Sequence, residues 1–433
     1  MKPFSLCTQW VIFALAQAKD LATRNSLCAA ELELKLEAIM SSITEPVAIP
    51  AEQTPVPPPP RSNERLLSLD VFRGLTLAAM IFVNAHVDRL GYPYIMHARW
   101  HGWGLADLCF PFFLFIVGVA IPYAFASRLE RGVRRAELYR HIVSRTIILF
   151  ACGLVLNCFP LDSAPWLQFS TLRYLGVLQR IALCYCAVSV IYLRGIKSRG
   201  QAIITASLLI FYFIMLKFVP VPGHGVGILE REGNWIQYID LHLMRGHLQS
   251  STYEDKGLLS TLPAIATTLI GTMVGQHLRS ARSALEKTAQ FLLVGNVMMF
   301  LGLFWSIWFP INQHLWSSSL VLFMCGMATV ILAGCYYLAD IRRITWWTKP
   351  FVILALNSLT VFMGTWLFMS VLDKIKVHLN DGTVMSVWRL SYYRWFASWA
   401  GPVPASIPFG FANILLFLAI LTLMYKKGIF LKA

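Results

Sequence analysis

Residues 105–126 read LADLCFPFFLFIVGVAIPYAFA, and their only charged residue is Asp107. A helix of that length rises about 33 Å, and the hydrocarbon core of a bilayer is about 30 Å thick. The run is long enough to cross. Inside a bilayer such a segment satisfies its own backbone only as a helix. The same pattern recurs at 70–88, 142–159, 174–193, 201–219, 258–278, 289–309, 315–338, 350–372 and 407–425. The expected fold is an all-α polytopic membrane protein with about ten transmembrane helices. Composition agrees: the chain is 57% hydrophobic and 14% charged, with a mean hydropathy of +0.60, whereas a soluble domain carries about a quarter charged residues.

The net charge of +15 raises the question of nucleic acid, and its distribution answers against it. The basic residues form short clusters between apolar runs. Arg61 and Arg65 precede the first span, and Arg128, Arg131, Arg134, Arg135, Arg140 and Arg145 follow the second. Arg194, Lys197 and Arg199 follow the fourth, Arg279, Arg282 and Lys287 the sixth, and Arg342, Arg343 and Lys349 the eighth, while Lys426, Lys427 and Lys432 close the chain. Such alternation sets membrane orientation and predicts that both termini are cytoplasmic. The stretch 84–108 and the long loops 220–257 and 373–406 then lie outside. The nine cysteines lack ligand spacing and read as small buried hydrophobes, so neither a disulfide framework nor a metal is expected.

Residues 1–63 differ from the rest. FSLCTQWVIFALAQA is loosely like a signal peptide; the reading adopted is an extension ahead of a start at Met40. PVAIPAEQTPVPPPPRSNE reads as an extended, disordered Pro-rich linker. The membrane domain is expected over 64–433.

Polar groups at membrane depth are costly, so they are candidates for function. Asp70 and Arg73 share one helix face in RLLSLDVFRG and suit either a structural ion pair or a ligand. Asn84 ends the first span. His97, with an ordinary pKa near 6.5, suits a base or a nucleophile. Asp107 needs a cation or an N–H donor, and orienting a histidine is one such job. Gln179 and Arg180 lie within the fourth span, where the arginine requires a carboxylate or a phosphate; Asp107 and Asp70 are the available acids. FPINQHLWSSSLVL places Asn312, Trp316, Ser317 and Ser318 at a helix start, suited to an anion or to plain capping. Asn357 with Ser358, in the ninth span, suits either a ligand or helix–helix hydrogen bonding. Ten helices with intramembrane charges also fit a transporter for an amino sugar or its acetylated form, although no pair of broken helices in corresponding halves is evident.

Taken in order, RLLSLDVFRG, FVN with a histidine about a dozen residues on, WHGWGLADLCFPFFLFIVG, GVLQRIALCY, KGLLSTLPAIATTLIG and PINQHLWSSSLVL resemble the transmembrane acetyltransferase family of heparan-alpha-glucosaminide N-acetyltransferase, in its shorter bacterial form. The resemblance covers roughly 64–425. It implies acetyl-CoA as the donor, an amino-sugar amine as the acceptor on the far side of the membrane, His97 as the reactive histidine and Asn84 as its neighbour. Cofactor contacts are expected among Arg73, Gln179, Arg180, Asn312, Trp316, Ser317, Ser318 and Asn357, with no metal; residence is expected in the inner membrane if the cell is bacterial, and the resemblance adds the expectation of a homodimer. Two mechanisms follow: His97 as an acetyl-carrying nucleophile, or His97 as a general base for direct attack. Asn84 would stabilise the oxyanion, and Asp107 would orient His97 or pair with Arg180. One departure stands out: the family usually reads Pro-x-Asn-Lys, and this chain carries Gln313 in place of the lysine.

Overall fold

A computed structural model describes residues 66–88, 90–159, 171–379 and 382–429. The extension and linker expected over 1–63 lie outside the described residues. The chain forms α1 (Leu67–Asn84), α2 (Leu105–Glu130), α3 (Arg135–Asn157), α4 (Val177–Leu193) and α5 (Ser198–Phe218). A short helix, α6 (Trp235–Met244), lies in the first long connection. Then come α7 (Thr261–Leu278), α8 (Ala284–Trp305) and α9 (Ser318–Cys335), which continues as a π-helical turn over Tyr336–Ile341. α10 (Thr348–Leu356) and α11 (Ser358–Lys374) follow. The second long connection holds a hairpin, β1 (Lys376–His378) with β2 (Val384–Ser386), paired antiparallel with Val377 opposite Met385. Two short helices, α12 (Val387–Tyr392) and α13 (Ser398–Ala400), flank a π turn before α14 (Ser406–Lys426).

Among the described residues, seven helices are long and apolar enough to cross a membrane: α1, α2, α3, α5, α8, α9 with its π turn, and α14. The α10–α11 pair makes an eighth if it is one span. The fold is therefore that of an all-α polytopic membrane protein. The fourth and sixth expected spans correspond to the helices α4 and α7, which are not among those seven. α4 is short, at 17 residues, and α7 is diluted by threonines, Gln276 and His277. α7 is largely enclosed by other helices, so it needs no uniformly apolar surface.

The ninth expected span, 350–372, is not one straight helix. It bends by 81° between α10 and α11. Asn357, at φ −119 and ψ 42, ends one helix and starts the next. An Asn-Ser pair is a helix-start signal, and it stands at this break, although the Asn357 side chain makes no capping hydrogen bond to α11.

Burial separates the centre from the rim. In α2 and α9, 67% and 72% of the apolar window is buried, against 22% in α3 and α8. A close seam joins α2 to α7. A Cβ on Gly118, Gly271 or Gly275 would fall 2.1–2.4 Å from a carbonyl oxygen of the facing helix. Thr272 Oγ1 also donates across the seam to Gly118 O at 3.2 Å. Small residues let backbones approach where lipid offers no hydrophobic drive for association. At the start of α1, where no local side chain caps the helix, Asp340 of the π turn accepts from the N–H groups of Leu67 (3.3 Å) and Ser68 (3.0 Å).

The connections at the α1 C-terminal end meet one another. Gly102 N–H donates to Ile311 O at 2.8 Å, Trp100 Nε1 to Leu229 O at 2.9 Å, and Trp388 Nε1 to His86 O at 3.3 Å. These contacts gather the two long connections and the segment after α1 into one polar face. At the opposite end, Arg279 pairs with Glu130 at 2.6 Å.

Candidate active site

The polar face is built around Asp107, in the first turn of α2. The chain enters that helix through Gly104, which stands where a Cβ would meet Met96 O at 2.0 Å. This close approach folds the preceding loop back over the helix start. Asp107 Oδ2 then accepts from the N–H groups of Gly104 (2.9 Å) and Ala98 (3.0 Å). Its Oδ1 lies 2.6 Å from His97 Nδ1. The carboxylate is 1% exposed and the imidazole side chain 48% exposed. A buried carboxylate on Nδ1 keeps the proton there and leaves Nε2 with a lone pair facing the open side.

Asn84 ends α1 on the same face. Val83, Ala106, Cys109, Ile95 and Leu105 belong to one apolar cluster, which holds the end of α1 against the start of α2 and against the loop that carries His97.

Arg180 pairs with neither Asp107 nor Asp70, contrary to the sequence expectation. Asp107 is taken by His97 and two backbone amides, and Asp70 faces Arg73. The Arg180 guanidinium, 1% exposed, donates to Gly257 O at 3.1 Å and to the Ser260 hydroxyl. It lies 5.2 Å from the centroid of the Trp316 ring. Its Nε and Nη1 are buried without a partner, as are both amide atoms of Gln179. Trp316 is fully buried and sits at φ 53, an uncommon conformation for a bulky residue. Its indole N–H donates to Thr267 Oγ1 at 3.1 Å.

The start of α9 spends its polar groups on its own turn and on neighbouring segments. Ser317 Oγ accepts from Leu320 N and from Asn312 N. Ser318 Oγ donates to Leu209 O at 2.8 Å, and Asn312 Oδ1 accepts from Leu315 N at 2.9 Å. Asn312 Nδ2 lies 3.3 Å from His101 Nδ1.

The remaining two candidates are elsewhere. Arg73 pairs with Asp70 at 3.6 Å in the first turns of α1. Asn357 Nδ2 donates to Ile429 O at 3.4 Å, beside the end of α14. The structure thus gathers His97, Asp107, Asn84, Gln179, Arg180, Asn312, Trp316, Ser317 and Ser318 toward one face, and places Arg73 and Asn357 toward the other.

Further polar groups on this face were not among the expected site residues. His314 Nδ1 lies 3.0 Å from Asp255 Oδ1. Burial works to raise the Asp255 pKa, but Lys256, the His314 hydrogen bond and Arg173 outweigh it and hold the carboxyl well below the usual range. Burial pushes the Lys256 ammonium down; Asp255 opposes this, and Arg180 and Arg173 add to it. Glu254 takes Arg173 in a two-pronged pair. Asp240 of α6 is fully buried and accepts from Leu258 N–H at 3.1 Å. Its other oxygen has no partner, and burial raises its pKa from 3.8 to about 7. For Glu254, Asp255 and Lys256 the hint was the run of acids and a lysine in YEDKG, and exposed loops commonly show the same composition.

Comparison with known proteins places the chain in a family. The family model for heparan-alpha-glucosaminide N-acetyltransferase, catalytic, matches residues 65–313, which include Asn84, His97, Asp107 and Arg180. The chain is 30% identical over 354 residues to heparan-alpha-glucosaminide N-acetyltransferase of Mus musculus, covering 70% of this chain and 53% of that protein. It is 29% identical over 351 residues to the protein of the same name from Homo sapiens, covering 69% and 52%. The chain spans about half the length of these relatives. With more than half of its residues matched by the family model, the chain belongs to the heparan-alpha-glucosaminide N-acetyltransferase catalytic family.

Proposed function

We propose that the protein is an integral membrane acetyltransferase that moves the acetyl group of acetyl-CoA to the amine of a glucosamine-type sugar. The observation that carries this reading is the His97–Asp107 pair: a half-exposed imidazole, held in one tautomer by a buried carboxylate, at the end of a membrane-spanning bundle. His97 Nε2 is the group that reacts. It takes a proton from the acceptor nitrogen as that nitrogen attacks the thioester carbon, or it attacks that carbon itself and carries the acetyl group. Asn84, at the end of α1, supplies an amide donor for the oxyanion, a contribution of roughly 3 kcal/mol in comparable sites.

The sides follow from charge. The end opposite His97 bears the basic clusters and faces the cytoplasm by the positive-inside rule. The phosphates of the donor belong there, with Arg73, and its acetyl end belongs near His97. The unpartnered nitrogens of Arg180 and the Gln179 amide suit the polar groups of the donor's arm.

Reconstitution tests the reading. With acetyl-CoA on the basic side of proteoliposomes and glucosamine on the other, N-acetylglucosamine is expected on the glucosamine side. Glucosamine uptake without CoA and without acetylated product would instead support a transporter.

A further inference from the structure

A second imidazole–carboxylate pair stands on the same face and has no part in the mechanism above. His314 is held by Asp255 at 3.0 Å, and the two side chains are 21% and 18% exposed. The His314 ring stacks on Trp100, with centroids 5.2 Å apart and planes at 10°. Trp100 is three residues beyond His97, a stretch of at most about 11 Å. The two segments are also joined by the Gly102–Ile311 hydrogen bond and by the Asn312–His101 contact. His314 therefore stacks directly on the loop that carries His97.

The two neighbouring histidines differ in what their rings have left to offer. His101 Nδ1 accepts from the Asn312 amide, and its Nε2 faces Glu230 at 3.9 Å. His314 gives Nδ1–H to Asp255, and its Nε2 has no partner among the described residues. That is the arrangement of His97. Lys256 and Arg173 act on the Asp255 carboxylate that holds the ring, and the Tyr253 hydroxyl donates to His314 O at 3.4 Å.

We propose that His314 is a second general base, which takes the proton from the acceptor's ammonium before attack and leaves His97 to serve the thioester. The assignment rests on the acetyltransferase reading. An amine of ordinary basicity is largely protonated at neutral pH and has no lone pair to attack with. His314 Nε2 accepts one N–H proton, giving an imidazolium beside the Asp255 carboxylate and a neutral amine. The amine nitrogen forms a bond to the carbonyl carbon. The C–S bond breaks with its electron pair on sulfur. The second N–H proton passes by way of His97 Nε2 to the thiolate, and His314 returns its proton to water.

The test compares wild-type protein with His314→Gln, using glucosamine as the acceptor and following kcat/KM against pH. A base that matters only for the protonated acceptor makes the loss pH-dependent: about tenfold or more near pH 6, shrinking to about twofold near pH 8.5. Asp255→Asn is expected to show the same trend, which guards against a fold defect at position 314. A loss equal at every pH, or no loss, overturns the assignment while leaving the acetyltransferase reading in place. No transfer by the wild-type protein overturns both.

Discussion

Asp107 and Asp240 are two buried aspartates on the same face of the bundle, and they differ in what surrounds them. Asp107 receives His97 and two backbone N–H groups. Asp240 receives one backbone N–H, and its second oxygen is orphaned against Gly257. A buried carboxylate whose oxygens are bonded is suited to orient another group; one that is half-bonded holds its proton to higher pH. Burial alone therefore does not tell the two apart. The hydrogen-bond partners do.

The largest break in this comparison is expected at Asp107. Asp107→Asn keeps the shape but withdraws the acceptor that fixes the His97 tautomer. Transfer is expected to fall by about three orders of magnitude, with KM for acetyl-CoA changed little; steady-state kinetics measures both. A loss below tenfold would mean that Asp107 only packs the loop.

Asp240 gives the smaller effect, in stability rather than rate. Its folded-state pKa, about 7, lies above the ordinary 3.8, so the fold holds more protons than the unfolded chain. The favourable contribution is fully present below the ordinary value and is lost as pH rises through the folded one, up to a limit of about 4 kcal/mol. Asp240→Asn is expected to remove this slope: thermal unfolding in detergent should show the variant more stable than wild type above pH 7 and similar to it in acid. Parallel curves for the two proteins would contradict the burial argument.

The sequence shows the helices because apolar runs of bilayer length leave the backbone few choices. It shows the neighbourhood of the site because Asn84 and Asp107 interrupt two such runs at adjoining ends. Other features depend on contacts that no local pattern encodes. The break at Asn357 sits inside a continuous apolar run, with only an Asn-Ser pair to mark it. Arg180 finds a carbonyl, a hydroxyl and an indole rather than a countercharge, so a search for complementary acids points the wrong way. Asp340 caps α1 from the far end of the chain. His314 and Asp255 meet only because the connection after α5 folds over the start of α9.

The central claim is that His97 does the chemistry, and one comparison tests it most directly: the rate of acetyl transfer from acetyl-CoA to glucosamine by His97→Ala and wild-type protein in the same proteoliposomes, with thermal unfolding measured on both. Transfer should be abolished in a variant that unfolds at the wild-type temperature. A folded His97→Ala protein that still transfers acetyl groups at the wild-type rate would remove His97 from the mechanism.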